Sequence, residues 1–242
     1  MSRSSALSGS PGRPSYHHGD LRRTLIDAAL DVIASGGPGH LSLRALARSA
    51  GVSHAAPAHH FGDKAGVFTA IATEGFELLY ESQVRTSEGV DPGQTLLPLA
   101  VNYVLFAIEH PSHYEVMWRE DLYNPGDPSL RAARQRVFEV FYQSVVAGTG
   151  ELEPPQFHGA VAAAWSIVHG FATLWLSGNL TEFLGTDPVA ASAEVAQGLL
   201  AIADVTARQL RRGDEPPSAR GPAKPGTKGA GSKRRQTSSH QP

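Results

Sequence analysis

The chain has 242 residues, 41% of them hydrophobic and 18% charged, with a formal net charge of −2 at pH 7. That length admits one domain or two and a sizeable core, while no uninterrupted apolar run reaches the roughly 18 residues of a membrane helix. The absence of cysteine excludes disulfides, thiolate metal ligands and cysteine nucleophiles; with a polar N-terminus lacking an apolar leader, the expected compartment is the cytoplasm, with no membrane partner.

Charge is unevenly spread. Residues 1–64 carry seven Lys/Arg against four Asp/Glu, residues 65–210 six against seventeen, and residues 211–242 eight against two. An acidic middle between two basic ends suits a protein whose ends meet a polyanion.

In chain order, residues 1–15 are rich in Ser, Gly and Pro and are expected to be a disordered arm. A first helix follows, with Asp20 as its N-terminal cap. Leu21, Leu25, Ile26, Ala29, Leu30 and Ile33 recur at helical spacing, and Gly36-Gly37-Pro38 ends it. A second short helix follows Ser42, with Leu43, Leu46 and Ala47 inward and Arg44 and Arg48 outward. Ala50-Gly51-Val52 makes a tight turn, and Ser53 caps a third short helix ending near His60-Phe61. That start places Pro57 about four residues inside the helix. A long fourth helix begins at Lys64. Further helices are expected over 94–110, 111–118, 127–146 and 157–176, the last apolar all round and so read as buried. Asp187-Pro188 opens a final helix ending near residue 212. Residues 213–242 read as a disordered basic tail. No strand-like alternation competes, so the fold class is all-α.

Two short helices about a Gly-containing turn form a helix-turn-helix, whose second helix places side chains in the major groove. The run from Tyr16 to Ala72 strongly resembles the DNA-binding domain of the TetR family of repressors. The match rests on the first-helix pattern, on Leu43-Arg44-Ala45-Leu46-Ala47 before Ala50-Gly51-Val52-Ser53, and on His60-Phe61-Gly62-Asp63-Lys64. Farther on, Trp165-Ser166-Ile167-Val168-His169-Gly170 looks like the signature of a subgroup with a WHG-type ligand-binding domain.

This resemblance implies an N-terminal three-helix DNA-binding domain (16–64) joined to a helical ligand-binding and dimerisation domain (65–212). It implies a homodimer that binds double-stranded, roughly palindromic operator DNA, with repression released by an unidentified small, hydrophobic effector and no cofactor. DNA contacts would fall on Ser53, His54, Ala55, Ala56, His59 and His60, with Arg44 and Lys64 approaching phosphate. His54 and His59 are the candidates for base readout, and Ala55 and Ala56 for thymine methyls. Ala58 stands where family members often have Tyr, so one usual phosphate contact is absent. The last two long helices would pair with those of a second subunit, and Val195, Leu199, Ile202, Ala203, Val205 and Leu210 offer more apolar surface than one packing face requires.

Trp165 and His169 are one helical turn apart and share a face. They are either wall residues of a ligand pocket or a buried aromatic beside a backbone-bonded histidine, with Gly170 allowing close helix packing. Tyr103, Phe106, Met117, Trp118, Phe138 and Tyr142 are the other candidate lining residues, each equally at home in a core. The histidines lack the acidic or thiolate companions of a zinc set and read as surface residues; no metal site is expected. No phosphate loop, nucleophile elbow or zinc motif supports an enzyme. An architectural DNA binder without an effector is the other rival reading.

Overall fold

The computed structural model of the chain describes residues 18–149 and 154–198. Among these residues every regular element is helical and none is a strand. Helix α1 (His18–Gly36) buries Leu25, Ile26, Ala29 and Ile33 along one face. It starts two residues before Asp20, so that residue lies in the first turn instead of capping it. Gly37, at φ +77°, turns the chain out of the helix into a short 3-10 turn, Pro38–His40.

Helix α2 (Leu43–Ser49) is capped as its sequence dictates, the Ala45 N–H donating to Ser42 Oγ at 3.2 Å. Such a cap contributes about 1 kcal/mol. Leu46 and Ala47 are fully buried, Arg44 and Arg48 exposed, and Gly51 takes the positive φ (+66°) that reverses the chain.

Helix α3 (Ala56–Phe61) starts two residues later than the sequence pattern implies. Residues 53–55 form a turn instead, closed by the Ala56 N–H donating to Ser53 O at 3.0 Å. Pro57 therefore occupies the first helical turn, where a missing N–H costs nothing, and its ring is buried. The apparent conflict between proline and helix disappears.

Helix α4 (Lys64–Ser87) is capped by Asp63, whose Oδ1 accepts the Gly66 N–H at 2.8 Å. It is the central strut. Helices α5 (Leu96–Glu109), α6 (Pro111–Met117) and α7 (Pro128–Thr149) pack against it, and α8 (Pro154–Leu176) packs on α5 and α7. One apolar core runs from Leu25 through Phe68 and Phe76 to Tyr103, Val137 and Phe171, so the helix-turn-helix and the helices behind it are not separately cored. At the α4–α6 crossing Gly75 is required by space: a Cβ there would lie 2.5 Å from Met117 Sδ and 3.2 Å from His113 Cβ.

A short helix α9 (Thr181–Leu184), which the pattern does not signal, precedes the helical stretch that starts at Pro188. Asp187 Oδ1 accepts the Val189 N–H there at 2.9 Å. The chain divides after Ala196, and of the second unit only residues 197–198 are described, both helical. The N-terminal arm, the basic tail and the apolar positions Leu199, Ile202, Ala203, Val205 and Leu210 lie outside the described residues.

Helix α8 departs from its expected burial. Only one side packs inward, through Phe157, Val168, Phe171 and Ala172; Ile167, Leu174 and Leu176 are exposed at 39%, 45% and 39%. Apolarity all round signals here a helix with an inward face and a second apolar face left open, not a fully enclosed one. Its segment Gln156–Leu176 is long and apolar enough by composition to cross a membrane, which the uninterrupted-run criterion does not detect. Among the described residues nothing lies within 4 Å of where a Cβ on Gly170 would stand.

Candidate functional site

Two groups of functional side chains stand out. The first lies on the helix-turn-helix. Arg44, Ser53, His54, Ala55 and His59 are exposed, while Ala56, His60 and Lys64 are half-buried. His54 and Ala55 sit in the turn before α3, His59 and His60 in its last turn. The His59 and His60 rings meet edge-on at 5.5 Å. The Lys64 ammonium lies 5.5 Å from the Phe68 ring centre and the Arg22 guanidinium 5.3 Å from that of Phe61, cations held beside the end of α3. Gly66 lets α4 approach this end: a Cβ there would lie 1.8 Å from Phe61 O.

The second group is an aromatic cluster where α5, α6, α7 and α8 meet. It brings together Tyr103, Trp118, Phe138, Trp165 and His169 of the sequence candidates. Trp165 stacks on His169 at 5.6 Å and 19°, and Trp118 approaches Trp165 at 4.7 Å and His169 at 5.4 Å. Phe138 lies 5.3 Å from Trp165 and Tyr103 5.3 Å from it on another side. The other three candidates lie elsewhere. Phe106 is buried against His110, Met117 is buried at the Gly75 crossing, and Tyr142 is 41% exposed, edge-on to Phe157.

Tyr114, which is not among the sequence candidates, also belongs to the cluster. It stacks on His169 at 5.6 Å and 28°. Its spacing of four from Trp118 at the end of α6 was the available signal, since residues four apart share a helix face.

Hydrogen bonds order this cluster. The Tyr103 hydroxyl is hydrogen-bonded to His169 Nδ1 at 2.9 Å, and the Tyr114 oxygen lies 3.1 Å from the same nitrogen and 3.1 Å from Thr173 Oγ1. Thr173 Oγ1 in turn donates to His169 O at 2.9 Å. Burial lowers the His169 pKa and raises those of Tyr103 and Tyr114, which keeps all three neutral at pH 7. One donor is left over: the buried Trp118 Nε1–H has no partner. It lies near enough to the Tyr103 hydroxyl to oppose slightly the rise in that group's pKa, but makes no bond of hydrogen-bonding geometry with it.

Between the two groups runs a polar bridge. The Arg23 guanidinium on α1 donates to Glu74 on α4 at 2.8 Å, and His113 Nε2 on α6 donates to the same carboxylate at 3.1 Å. The Ser112 hydroxyl donates to Leu30 O of α1 at 3.2 Å. The Glu74 pKa is lowered, first by the His113 hydrogen bond and then by Arg23, against an upward push from burial. A cleft of about 690 Å³ opens beside this bridge, lined among others by His60, Asp63, Thr73, Glu77 and Asn124. Its carboxylates are engaged: Asp63 caps α4, Asp127 caps α7 and Glu77 faces Arg136 at 3.7 Å. Among the described residues no cluster of His, Asp and Glu is arranged to hold a metal ion.

Comparison with known proteins matches residues 25–71 to the tetR family of bacterial regulatory proteins and residues 96–200 to the tetracyclin repressor-like C-terminal domain. A protein of unknown function from Rhodococcus sp. RHA1 is 29% identical, over 77% of this chain and 96% of that one, with a TM-score of 0.63. The TetR family transcriptional regulator PfmR from Thermus thermophilus is 21% identical, over 72% and 93% of the two chains, at a TM-score of 0.55. The regulator FadR from Bacillus subtilis, solved with stearoyl-CoA, shares the fold at 16% identity, 72% and 95% coverage and a TM-score of 0.54. Curated protein sequences give no match.

Proposed function

The chain belongs to the TetR family of DNA-binding transcription regulators, and from that premise we propose that it is a dimeric repressor released from a palindromic operator by a small, largely hydrophobic ligand. The observation that carries the DNA-binding part is the exposed set of Ser53, His54, Ala55 and His59 around α3, with Arg44 outward on the helix before it. Phosphate contacts from Arg44 and Lys64 would fix register, while His54 and His59 read base edges and Ala55 and Ala56 meet thymine methyls. His60, half-buried at the end of α3, would contribute at the edge of that surface.

The exposed Ile167 and Leu174, two helical turns apart on one side of α8, support dimerisation through this face. A two-fold dimer presents two recognition helices about one DNA turn apart, hence the palindrome. The aromatic cluster around Trp165 and His169 supports a hydrophobic ligand. Such a ligand regulates only by binding one conformation more tightly than the other. A cytoplasmic location follows from a DNA target.

The test is an anisotropy titration against the DNA upstream of the chain's own gene, with random DNA as competitor. Competitor-resistant binding at two protomers per site, or a multiple of two, is expected. Binding no tighter than to random DNA across a genome-wide selection would instead identify an architectural protein.

A further inference from the structure

The buried indole N–H of Trp118 identifies what the effector must offer. Among the described residues only two buried side-chain atoms lack a partner, Gln83 Oε1 and Trp118 Nε1. A buried donor left unpaired costs about 1–3 kcal/mol, which a ligand bringing an acceptor recovers. Trp118 is half-buried as a residue, so the cluster is reachable, yet its Nε1 is shut off from water.

The nearest polar atoms bond one another: the Tyr103 hydroxyl with His169 Nδ1, the Tyr114 hydroxyl with that nitrogen and with Thr173 Oγ1, and Thr173 Oγ1 donates to His169 O. The Tyr103 oxygen lies beside the indole but outside hydrogen-bonding geometry with its N–H. The walls are aromatic: Phe76, Tyr103, Phe138, Trp165 and His169 all face Trp118 within 6.3 Å.

Among the described residues no cationic group serves the cluster from within. Arg134 lies over Phe138 at 5.6 Å and is paired with Glu120. The Arg23–Glu74–His113 bridge is complete in itself. An anionic ligand head would be desolvated among aromatic rings without a countercharge, which is costly; a neutral acceptor is not penalised in this way.

We propose that the cluster is a binding site for an apolar molecule carrying a neutral acceptor oxygen of the ketone, ester or lactone type, which accepts a hydrogen bond from Trp118 Nε1–H while its hydrocarbon part packs against the half-exposed sides of Phe138, Trp165 and His169. This rests on the reading of the C-terminal helices as an effector-binding domain. It adds to that reading the polar chemistry of the effector and the residue that recognises it.

Three probes of one shape decide the matter: 4-phenyl-2-butanone (neutral acceptor), butylbenzene (no acceptor) and 3-phenylpropanoate (anion). Their affinities for the full chain are measured by calorimetry, alongside Trp118→Phe, which keeps an aromatic ring but removes the donor. The ketone is expected to bind about tenfold more tightly than either of the others to the wild type. Trp118→Phe should abolish the preference, bringing the ratio of ketone to butylbenzene affinity to about one. A Leu97→Ala control, at an exposed position of α5 outside the cluster, should keep the ketone preference.

Equal affinity for ketone and hydrocarbon, a preference for the anion, or a ketone preference that survives Trp118→Phe overturns the acceptor assignment while leaving a hydrophobic effector site in place. Binding by none of the three removes the site itself. Ketone binding with the expected selectivity that does not alter operator affinity would uphold the site and count against the regulatory reading instead.

Discussion

At the scale of single residues, the proposed DNA-facing surface turns on His54 and His59, both exposed on and before α3, a helix only six residues long. Base-edge contacts discriminate by about 1–3 kcal/mol each, whereas phosphate contacts act on all sequences alike. His54→Ala and His59→Ala are therefore expected to weaken operator binding roughly tenfold or more with random-DNA affinity little changed. Equal losses on both DNAs, measured by competition titration, would reassign these histidines to the backbone. Gly66 governs the same surface through geometry. With Phe61 O only 1.8 Å from where its Cβ would stand, Gly66→Ala must push α3 away from α4. A destabilisation of about 2 kcal/mol or more is expected by thermal or urea unfolding, with loss of operator affinity at temperatures where the chain remains folded.

Element by element, the sequence was legible where local chemistry decides structure. Ser42, Asp63 and Asp187 cap helices as their residue types require, and Gly51 takes its positive φ. It misled where two local signals competed. Ser53 is a good cap, but Pro57 is better placed in a first turn than in an interior, and the proline decided where α3 begins. For α8, composition could not distinguish a helix enclosed by its own chain from one with a second apolar face left exposed. The aromatic cluster was half legible. Trp165 and His169 share a face by spacing alone, but that Tyr103 and Tyr114 converge on one ring nitrogen is a tertiary fact, as is the placement of Met117 at the Gly75 crossing.

Helix α6 joins the two sites. His113 faces Glu74 and the adjacent Tyr114 faces His169, so displacement of one residue moves its neighbour. The Glu74 carboxylate holds this joint, and its pKa is depressed below the ordinary 4.5. A depressed acid stabilises the fold above its unfolded pKa and loses that contribution as pH falls through the folded value. Glu74→Gln should thus cost stability, on the order of 1 kcal/mol, at neutral pH. The deficit should close as pH is lowered below about 4.5. A wild-type-to-mutant difference in melting temperature that stays constant from pH 7 to pH 3 would show that the ionised bridge contributes nothing.

At the scale of the whole molecule, charge and apolar surface divide the work. In the proposed complex the basic N-terminal block would face the polyanion, while the acidic middle would keep the remaining helices off it. Such a chain gains DNA affinity chiefly by presenting two basic ends at once, because a second contact on the same duplex is intramolecular and benefits from a raised effective concentration. Pairing therefore belongs to the DNA-binding mechanism itself. The exposed apolar face of α8, centred on Ile167 and Leu174, is where that pairing is weakest to a charge. Leu174→Glu places a carboxylate in the proposed contact, where burial without a partner costs several kcal/mol, yet as a 45% exposed position in the single chain it should leave the protomer folded. Sedimentation is expected to show the wild type as a dimer and Leu174→Glu as a monomer with unchanged helical circular dichroism. Operator affinity should fall by about a hundredfold, while the weak binding to random DNA persists. A variant that remains dimeric would move the interface to another surface, and a monomer that keeps full operator affinity would separate DNA recognition from two-fold symmetry altogether.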